Sequence, residues 1–301
     1  MKGVQEKRKN DFRESKNKMS EALDALRKEI DAVDDSLHDL IMRRVCLVEQ
    51  IGKVKAEEHG GMPGCSLRPA REMEIMRRLW KRHSGAMDKD VLIRLWRELI
   101  SACVNIQTPL CVAVYMPERG MGNLEIARDF FGSYTAMLPC RSTGLVLKEL
   151  TQGEANVGIL SLNDDTQDCW WYSIAQEYKR TLSVFAKLPI TGPARSRGEG
   201  KIAYAVGKIP FEPTGDDRTL LVAETDGTIS LSTLDLLLKA TGVPTNAICD
   251  THTIDMARKA YLFEVDGYLS EKDDRLARVM EKENGKITML RVIGGYPVPL
   301  S

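Results

Sequence analysis

The chain has 301 residues, of which 43 are basic and 43 are acidic, so its formal net charge is zero. This length suits two or three domains, and the balanced charge gives no general attraction for nucleic acid or an anionic membrane. Seven scattered cysteines without a CxxC pair argue against a disulfide framework and a zinc site, and favour a reducing cytoplasm. No apolar run approaches the roughly 20 residues that span a bilayer.

The N-terminal region is predicted to contain one long helix. The first 18 residues carry seven basic and three acidic side chains, so residues 1–19 are predicted to form a disordered basic arm. From residue 20 to residue 58, apolar side chains recur every three or four positions, which predicts a helix of roughly 38 residues and near 55 Å. The sequence "HGGMPG" at 59–64 predicts a loop after it.

Two shorter helices are predicted after this loop. One follows Pro69, a residue that suits a first helical turn. The next begins after Asp88, a plausible N-cap, and runs to Gln107, because Pro109 cannot continue it. Residues 20–109 are therefore predicted to form a three-helix domain.

The remaining sequence has α/β texture. Short apolar runs predict strands and alternate with two helical patterns; the strands lie at 110–116, 156–162, 182–188 and 201–207, and the helices at 122–131 and 142–151. The segment 208–217 is rich in Pro, Gly and acid and predicts a domain boundary. After it the predicted order is βαββαβ, which suggests a small ferredoxin-like sandwich at 218–301.

Two cations interrupt the apolar stripe of the long helix. Arg44 takes a stripe position and Lys55 lies at its edge, 11 residues later, so both point the same way. A lone cation at such a position commonly keeps only its aliphatic stem buried. Arg27 lies on the same helix about 25 Å from Arg44, so it can serve the same small anion only from a second copy of the chain. An antiparallel helical dimer would also bury the stripe.

At this point the sequence resembles a known family. "LDALRKEIDAVDDSLHDLIMRRVCLVEQIGKVK", "RPARE" and "LWRELISACVNIQ" are together similar to the all-helical type of chorismate mutase, over about residues 21–108. The resemblance implies an intertwined all-α homodimer in which Arg27 comes from the partner. It also implies the substrate ligands Arg27, Arg44, Lys55, Arg68, Arg71, Glu72, Cys103 and Gln107, with Arg27, Arg44, Lys55, Glu72 and Gln107 as the catalytic set.

The reaction that this resemblance implies needs no nucleophile, metal or cofactor. Chorismate rearranges to prephenate in one intramolecular step, so cations that hold its two carboxylates trap the reactive conformer. Lys55 and Gln107 would donate to the ether oxygen as negative charge develops there. Simpler readings stay open: Arg71 and Glu72 could be solvated, Gln107 could be a surface residue, and Cys103 could be a core residue.

The rest of the chain resembles the segments that follow the mutase in bifunctional proteins. Residues 110–210 are similar to a shortened prephenate dehydratase domain without its Thr-Arg-Phe box, so we expect a catalytically inactive scaffold. Residues 218–301 are similar to an ACT regulatory domain whose ligand motifs are altered, which argues against an amino-acid effector.

The sequence therefore predicts a cytoplasmic chorismate mutase, an isomerase of phenylalanine and tyrosine biosynthesis. One alternative is a bifunctional chorismate mutase and prephenate dehydratase. Another is a non-catalytic metabolite sensor built from a helical dimer and an ACT domain. The sequence leaves open whether isochorismate competes as a substrate.

Overall fold

The computed structural model describes residues 2–58, 66–117, 121–162, 169–178, 181–193, 200–282 and 285–300. The chain divides into two compact units, residues 1–64 and residues 65–301. This division falls inside the segment 20–109 that was predicted to be one helical domain. The predicted loop at 59–64 lies outside the described residues.

The first unit contains one helix, α1 (Lys2–Glu58), which has 57 residues and a length of about 85 Å. Residues 2–19 are helical, so the prediction of a disordered arm there was wrong. This segment has no proline and is rich in Lys, Arg, Glu and Gln, which are good helix formers. A high density of charged side chains therefore does not exclude a helix.

The second unit begins with two helices, α2 (Pro69–Arg82) and α3 (Lys89–Gln107). Pro69 occupies the first turn of α2, as predicted. The Asp88 side chain accepts a hydrogen bond from the Asp90 backbone N–H at 3.0 Å, which confirms the predicted N-cap of α3. Local capping signals therefore located both ends of α3.

The rest of this unit is built on a nine-stranded mixed sheet in the order β2-β1-β3-β5-β4-β9-β6-β8-β7. Its strands are β1 (Cys111–Tyr115), β2 (Ala136–Cys140), β3 (Val157–Ser161), β4 (Ser183–Leu188), β5 (Ala203–Gly207), β6 (Asp217–Thr225), β7 (Thr245–Thr253), β8 (Lys259–Asp266) and β9 (Ile287–Pro297). Strand β1 pairs in parallel with β2 and β3, and β5 runs antiparallel to β3 and β4. The strand β2, of which only Cys140 is buried, was not predicted.

The middle and C-terminal segments share this sheet because β4 and β9 meet in parallel at Val184 and Gly294. Gly294 has a φ of +116°, and a Cβ built there would lie 2.2 Å from the Val184 carbonyl oxygen. Only glycine permits this conformation and this close approach. The junction joins the predicted domains 110–210 and 218–301 within one compact unit.

Helices cover both faces of the sheet: α4 (Gly122–Phe131), α5 (Thr143–Gln152), α6 (Trp170–Ser173) with a π-helical turn (Ile174–Tyr178), α7 (Leu231–Ala240) and α8 (Asp274–Lys282). From β6 to β9 the element order is βαββαβ, as predicted. The helix α6 and its π-helical turn were not predicted. Within the described ranges, no helix combines the length and apolar character needed to cross a membrane.

Helices α2 and α3 bury their apolar faces against the α/β part of the unit. Met76 and Ile93 belong to the same core as Val112 of β1 and Phe130 of α4. Met76 is only 1% exposed. The two helices are thus packed as an outer layer of the sheet, and their position depends on α4.

Candidate functional site

Three predicted site residues lie on α1. The Arg27 guanidinium donates to the Asp24 carboxylate at 3.0 Å, and 73% of the Arg27 side chain is exposed. Arg44 and Lys55 are half-buried, and their spacing places them on one side of the helix. An exposed ion pair contributes little free energy, so an anionic ligand can compete with Asp24 for Arg27 at small cost.

Two predicted arginines flank the start of α2. The Arg68 guanidinium donates to Glu212 at 3.2 Å, and the Arg71 guanidinium donates to Glu74 at 2.9 Å. Both arginines are exposed and paired with exposed or half-buried carboxylates. For Arg71, the structure thus agrees with the simpler reading of a solvated first helical turn.

The end of α3 lies beside the start of α2, since the hydroxyl groups of Ser66 and Thr108 are 2.9 Å apart. Gln107 is therefore at the same end of this helical hairpin as the first turn of α2. Gln107 is half-buried, and Cys103, one turn earlier, is buried in the helical layer. The Cys103 thiol behaves as the small core residue that the sequence allowed.

Glu72 is buried, with 7% of the residue exposed, so the simpler reading of a solvated carboxylate does not apply to it. Its Oε2 accepts a hydrogen bond from the Arg97 Nη1 at 2.6 Å. Its Oε1 meets the Arg68 backbone N–H at 3.5 Å, which is a long contact. Among the residues that the structure describes, the Glu72 carboxylate therefore has one short hydrogen bond, through Oε2.

Arg97 was not among the predicted site residues. Its Nε donates to the Phe130 carbonyl oxygen at 2.7 Å, and its guanidinium lies 3.8 Å from the centre of the Phe130 ring. The sequence did contain a signal, because Ile93, Arg97, Ile100 and Val104 continue one apolar stripe of α3. The same reasoning that selected Arg44 on α1 would have selected Arg97.

A second polar cluster lies where β4, β5 and the C-terminal strands meet. The Lys187 ammonium donates to Glu264 at 3.0 Å and to the Tyr296 hydroxyl at 3.2 Å. A cavity of about 420 Å³ adjoins it, lined in part by Tyr204 and Cys249. Burial raises the pKa of the Cys249 thiol to about 11, so this thiol stays protonated at neutral pH and is a poor nucleophile.

Metal ligands do not converge in the described part of the chain. No group of three His, Cys, Asp or Glu side chains there has the geometry to hold an ion. Apart from Glu72 and Cys103, the predicted site residues carry a cation or an amide, which are groups suited to binding an organic anion.

Comparison with known proteins agrees with this chemistry. Residues 26–108 match the family model of chorismate mutase type II. The bifunctional chorismate mutase/prephenate dehydratase of Pseudomonas aeruginosa is 30% identical over 146 residues, which cover 48% of this chain and 40% of the relative. The protein of the same name from Stutzerimonas stutzeri is 31% identical over 152 residues, which cover 50% of this chain and 41% of the relative.

The match at residues 26–108 confirms the resemblance found in the sequence. The chain spans about two fifths of the length of these curated relatives, 40% and 41%. A solved prephenate dehydratase from Arthrobacter aurescens, in complex with L-Phe, aligns with a TM-score of 0.45 at 11% identity. That alignment covers 64% of this chain and 92% of the solved one.

Proposed function

We propose that this chain is a chorismate mutase, which converts chorismate to prephenate in the biosynthesis of phenylalanine and tyrosine in the cytoplasm. One observation carries the proposal: residues 26–108 match the family model of chorismate mutase type II, and this segment includes every residue of the predicted catalytic set. The set includes Arg27, Arg44 and Lys55 on α1 and Gln107 on α3.

The proposed chemistry is electrostatic. The substrate carries two carboxylates, which Arg27 and Arg44 would hold so that the reacting carbon atoms approach each other. Lys55 and Gln107 would donate hydrogen bonds to the ether oxygen while its bond to carbon breaks, and one such donor contributes about 3 kcal/mol to the transition state. Glu72 would accept a hydrogen bond from the ring hydroxyl of the substrate. The reaction as written uses no cofactor.

We further propose that the active form is a homodimer with antiparallel α1 helices. Two features of α1 support this: its apolar stripe is exposed, with Leu40 at 61%, and Arg27 lies about 25 Å along the axis from Arg44. A second copy would cover the stripe and would bring its own Arg27 toward the Arg44 and Lys55 of the first.

The activity is tested by following the loss of chorismate absorbance with purified protein. We expect turnover by the wild type and losses of about 100-fold or more in kcat/KM for Lys55→Ala and Arg44→Ala. Lys53→Ala is the matched control, because Lys53 is an exposed residue on the same turn. Equal rates for the wild type and the Lys55 and Arg44 variants would leave the non-catalytic sensor as the better reading.

The dimer is tested by mixing two inactive variants, Arg27→Ala and Lys55→Ala, and allowing their subunits to exchange. A mixed dimer has one site that carries both changes and one site that carries neither. We therefore expect recovery of about a quarter of the wild-type activity, since about half of the dimers are mixed. No recovery after exchange would contradict a site that is shared between subunits.

A bifunctional enzyme is the second candidate, because both curated relatives bear the name of a bifunctional chorismate mutase/prephenate dehydratase. Against it stands the absence of a Thr-Arg-Phe box from residues 110–210, where the best-placed segment reads "EGKIAYAVG". We infer that this segment acts as a scaffold. Formation of phenylpyruvate from prephenate in a coupled assay would overturn this inference.

For residues 218–301 we propose an ACT-like domain that packs rather than binds an effector. The strands lie in the order β9-β6-β8-β7, with α7 connecting β6 to β7 and α8 connecting β8 to β9. This order supports a ferredoxin-like arrangement. The segments "DGTISLS" and "CDTHTI" differ from the ligand motifs of phenylalanine-binding relatives. A rise of several degrees in melting temperature with phenylalanine or tyrosine would overturn the packing role.

A further inference from the structure

Arg97 lies behind one of the proposed substrate ligands and contacts it directly. We propose that Arg97 is a positioning residue that orients the Glu72 carboxylate toward the ring hydroxyl of the substrate. Through Glu72 it sets how strongly the enzyme discriminates for that hydroxyl. The proposal rests on the proposed mutase function and extends it to a residue outside the predicted set of site residues.

The geometry fixes Arg97 from three directions. Its Nη1 donates to Glu72 at 2.6 Å, its Nε donates to the Phe130 carbonyl oxygen at 2.7 Å, and its Cζ lies 3.8 Å from the Phe130 ring centre. The side chain is 3% exposed. A planar guanidinium held in this way has little rotational freedom, so its hydrogen bond fixes the orientation of the Glu72 carboxylate.

The two oxygens of Glu72 have different roles in this arrangement. Oε2 is occupied by Arg97. From the described part of the chain, Oε1 receives only the long 3.5 Å contact with the Arg68 backbone N–H. Oε1 is therefore the oxygen with capacity to accept a strong hydrogen bond from a hydroxyl group. A buried carboxylate without its guanidinium would be costly, so the orientation of Oε1 depends on Arg97.

If Arg97 has a purely structural role, a different result is expected. Arg97 also ties α3 to α4 through Phe130, so its loss will lower stability in either case. A structural defect, however, would reduce turnover equally for substrates with and without the ring hydroxyl. A positioning defect acts through Glu72 and affects only the substrate that carries the hydroxyl.

The test uses the full chain with Arg97→Gln, Arg97→Lys, Glu72→Gln and the double variant Glu72→Gln/Arg97→Gln. The control is Arg94→Gln, because Arg94 lies one turn earlier on α3 and pairs with Asp129 at 3.5 Å instead of Glu72. For each protein, kcat and KM are measured with chorismate and with a chorismate analogue that lacks the ring hydroxyl. Thermal unfolding is recorded alongside.

For Arg97→Gln we expect kcat/KM to fall about 10- to 100-fold with chorismate and less than about threefold with the analogue. The double variant should be no worse than Glu72→Gln, because the two residues act as one unit. Arg97→Lys keeps the charge and should keep the fold, but it should raise KM for chorismate several-fold. Arg94→Gln should match the wild type.

Equal losses on both substrates, or multiplied losses in the double variant, would overturn the positioning role. If Arg97→Gln does not fold, the comparison of the two substrates with Arg97→Lys decides in the same way. A wild-type protein that is inactive on both substrates would overturn the proposed mutase function itself, and this inference with it. The wild-type rates therefore distinguish a failure of the positioning role of Arg97 from a failure of the proposed mutase function.

Discussion

Two helical regions of this protein carry the same kind of apolar stripe, which is exposed in one region and buried in the other. On α1, Leu40 is 61% exposed, whereas on α2 Met76 is 1% exposed. Both residues lie on stripes with a helical period of three or four. The difference is that α2 and α3 are layered on α4 and β1, whereas the apolar residues of α1 face solvent within the single chain.

The contrast shows that a periodic pattern predicts a buried face without identifying what buries it. For α2 and α3 the cover is supplied by the same chain. For α1 we propose that it is supplied by a second copy. The proposed catalytic residues are divided between α1 and the pair α2 and α3.

Truncation gives the largest expected effect. A fragment of residues 20–109 retains all three helices but lacks Phe130 and Val112, which share a core with Met76 and Ile93. We expect it to aggregate or to lack a cooperative thermal transition, because its α2 and α3 faces become exposed. A fragment of residues 65–301 should unfold cooperatively. Circular dichroism and light scattering measure both, and a cooperative transition in 20–109 would show that α1 alone can cover these helices.

Single core substitutions should sharpen the comparison. Met76→Ala should lower the free energy of unfolding by about 2–5 kcal/mol at any protein concentration, because it leaves a cavity in the core. Leu40→Ala should have an effect only where the dimer forms, so its cost should depend on protein concentration. Denaturant unfolding at low and high concentration checks both. An effect of Leu40→Ala that does not change with concentration would contradict dimerisation through α1.

Arg77 anchors α2 to the C-terminal part of its unit. Its guanidinium donates to the Thr214 hydroxyl at 2.8 Å and to the Asp216 carbonyl oxygen at 2.6 Å, and it also reaches the Val298 carbonyl oxygen at 3.3 Å. Arg77→Ala should destabilise the second unit by about 2 kcal/mol, since three acceptors lose their donor. Hydrogen exchange should increase in residues 208–216. Unchanged exchange there would contradict the anchoring role.

The smallest expected effect depends on pH. Hydrogen bonds from Arg275 hold the pKa of Asp273 at about 2, below its usual value of 3.8. A lowered pKa stabilises the fold at pH values above the unfolded pKa, and this contribution is lost as the pH falls toward 2. Asp273→Asn should therefore cost about 1 kcal/mol at pH 7 and progressively less below pH 4.

Asp255→Asn is the matched control for this pH effect. Hydrogen bonds from the Arg258 and Ala257 backbone and the Arg258 side chain also lower the pKa of Asp255 to about 2. That carboxylate is exposed, with 45% of the Asp255 side chain accessible to solvent, so its pair is screened by water. We expect little change in melting temperature for this variant. A pH dependence of Asp273→Asn equal to that of Asp255→Asn would show that burial of the pair has no influence.

Much of the secondary structure followed from local sequence signals. Pro69, Asp88 and Pro109 located α2 and α3, and apolar runs located most strands to within two or three residues. The strand β2 was missed because its residues, "AMLPC", include a proline and lack the β-branched and aromatic side chains that mark strands. Residues 2–19 were misassigned because high charge is typical of both disordered arms and exposed helices.

The sequence by itself determined the helical and strand periods, the resemblance of residues 26–108 to a known family and the residue types of the proposed site. These properties depend on the order of side chains along one helix or strand, which can be read directly from the sequence. The tertiary structure decided that Glu72 is buried against Arg97, and that β4 and β9 join two predicted domains through Gly294. Such contacts join residues 25 and 110 positions apart, and no local pattern encodes them, because they arise only when separate elements pack together.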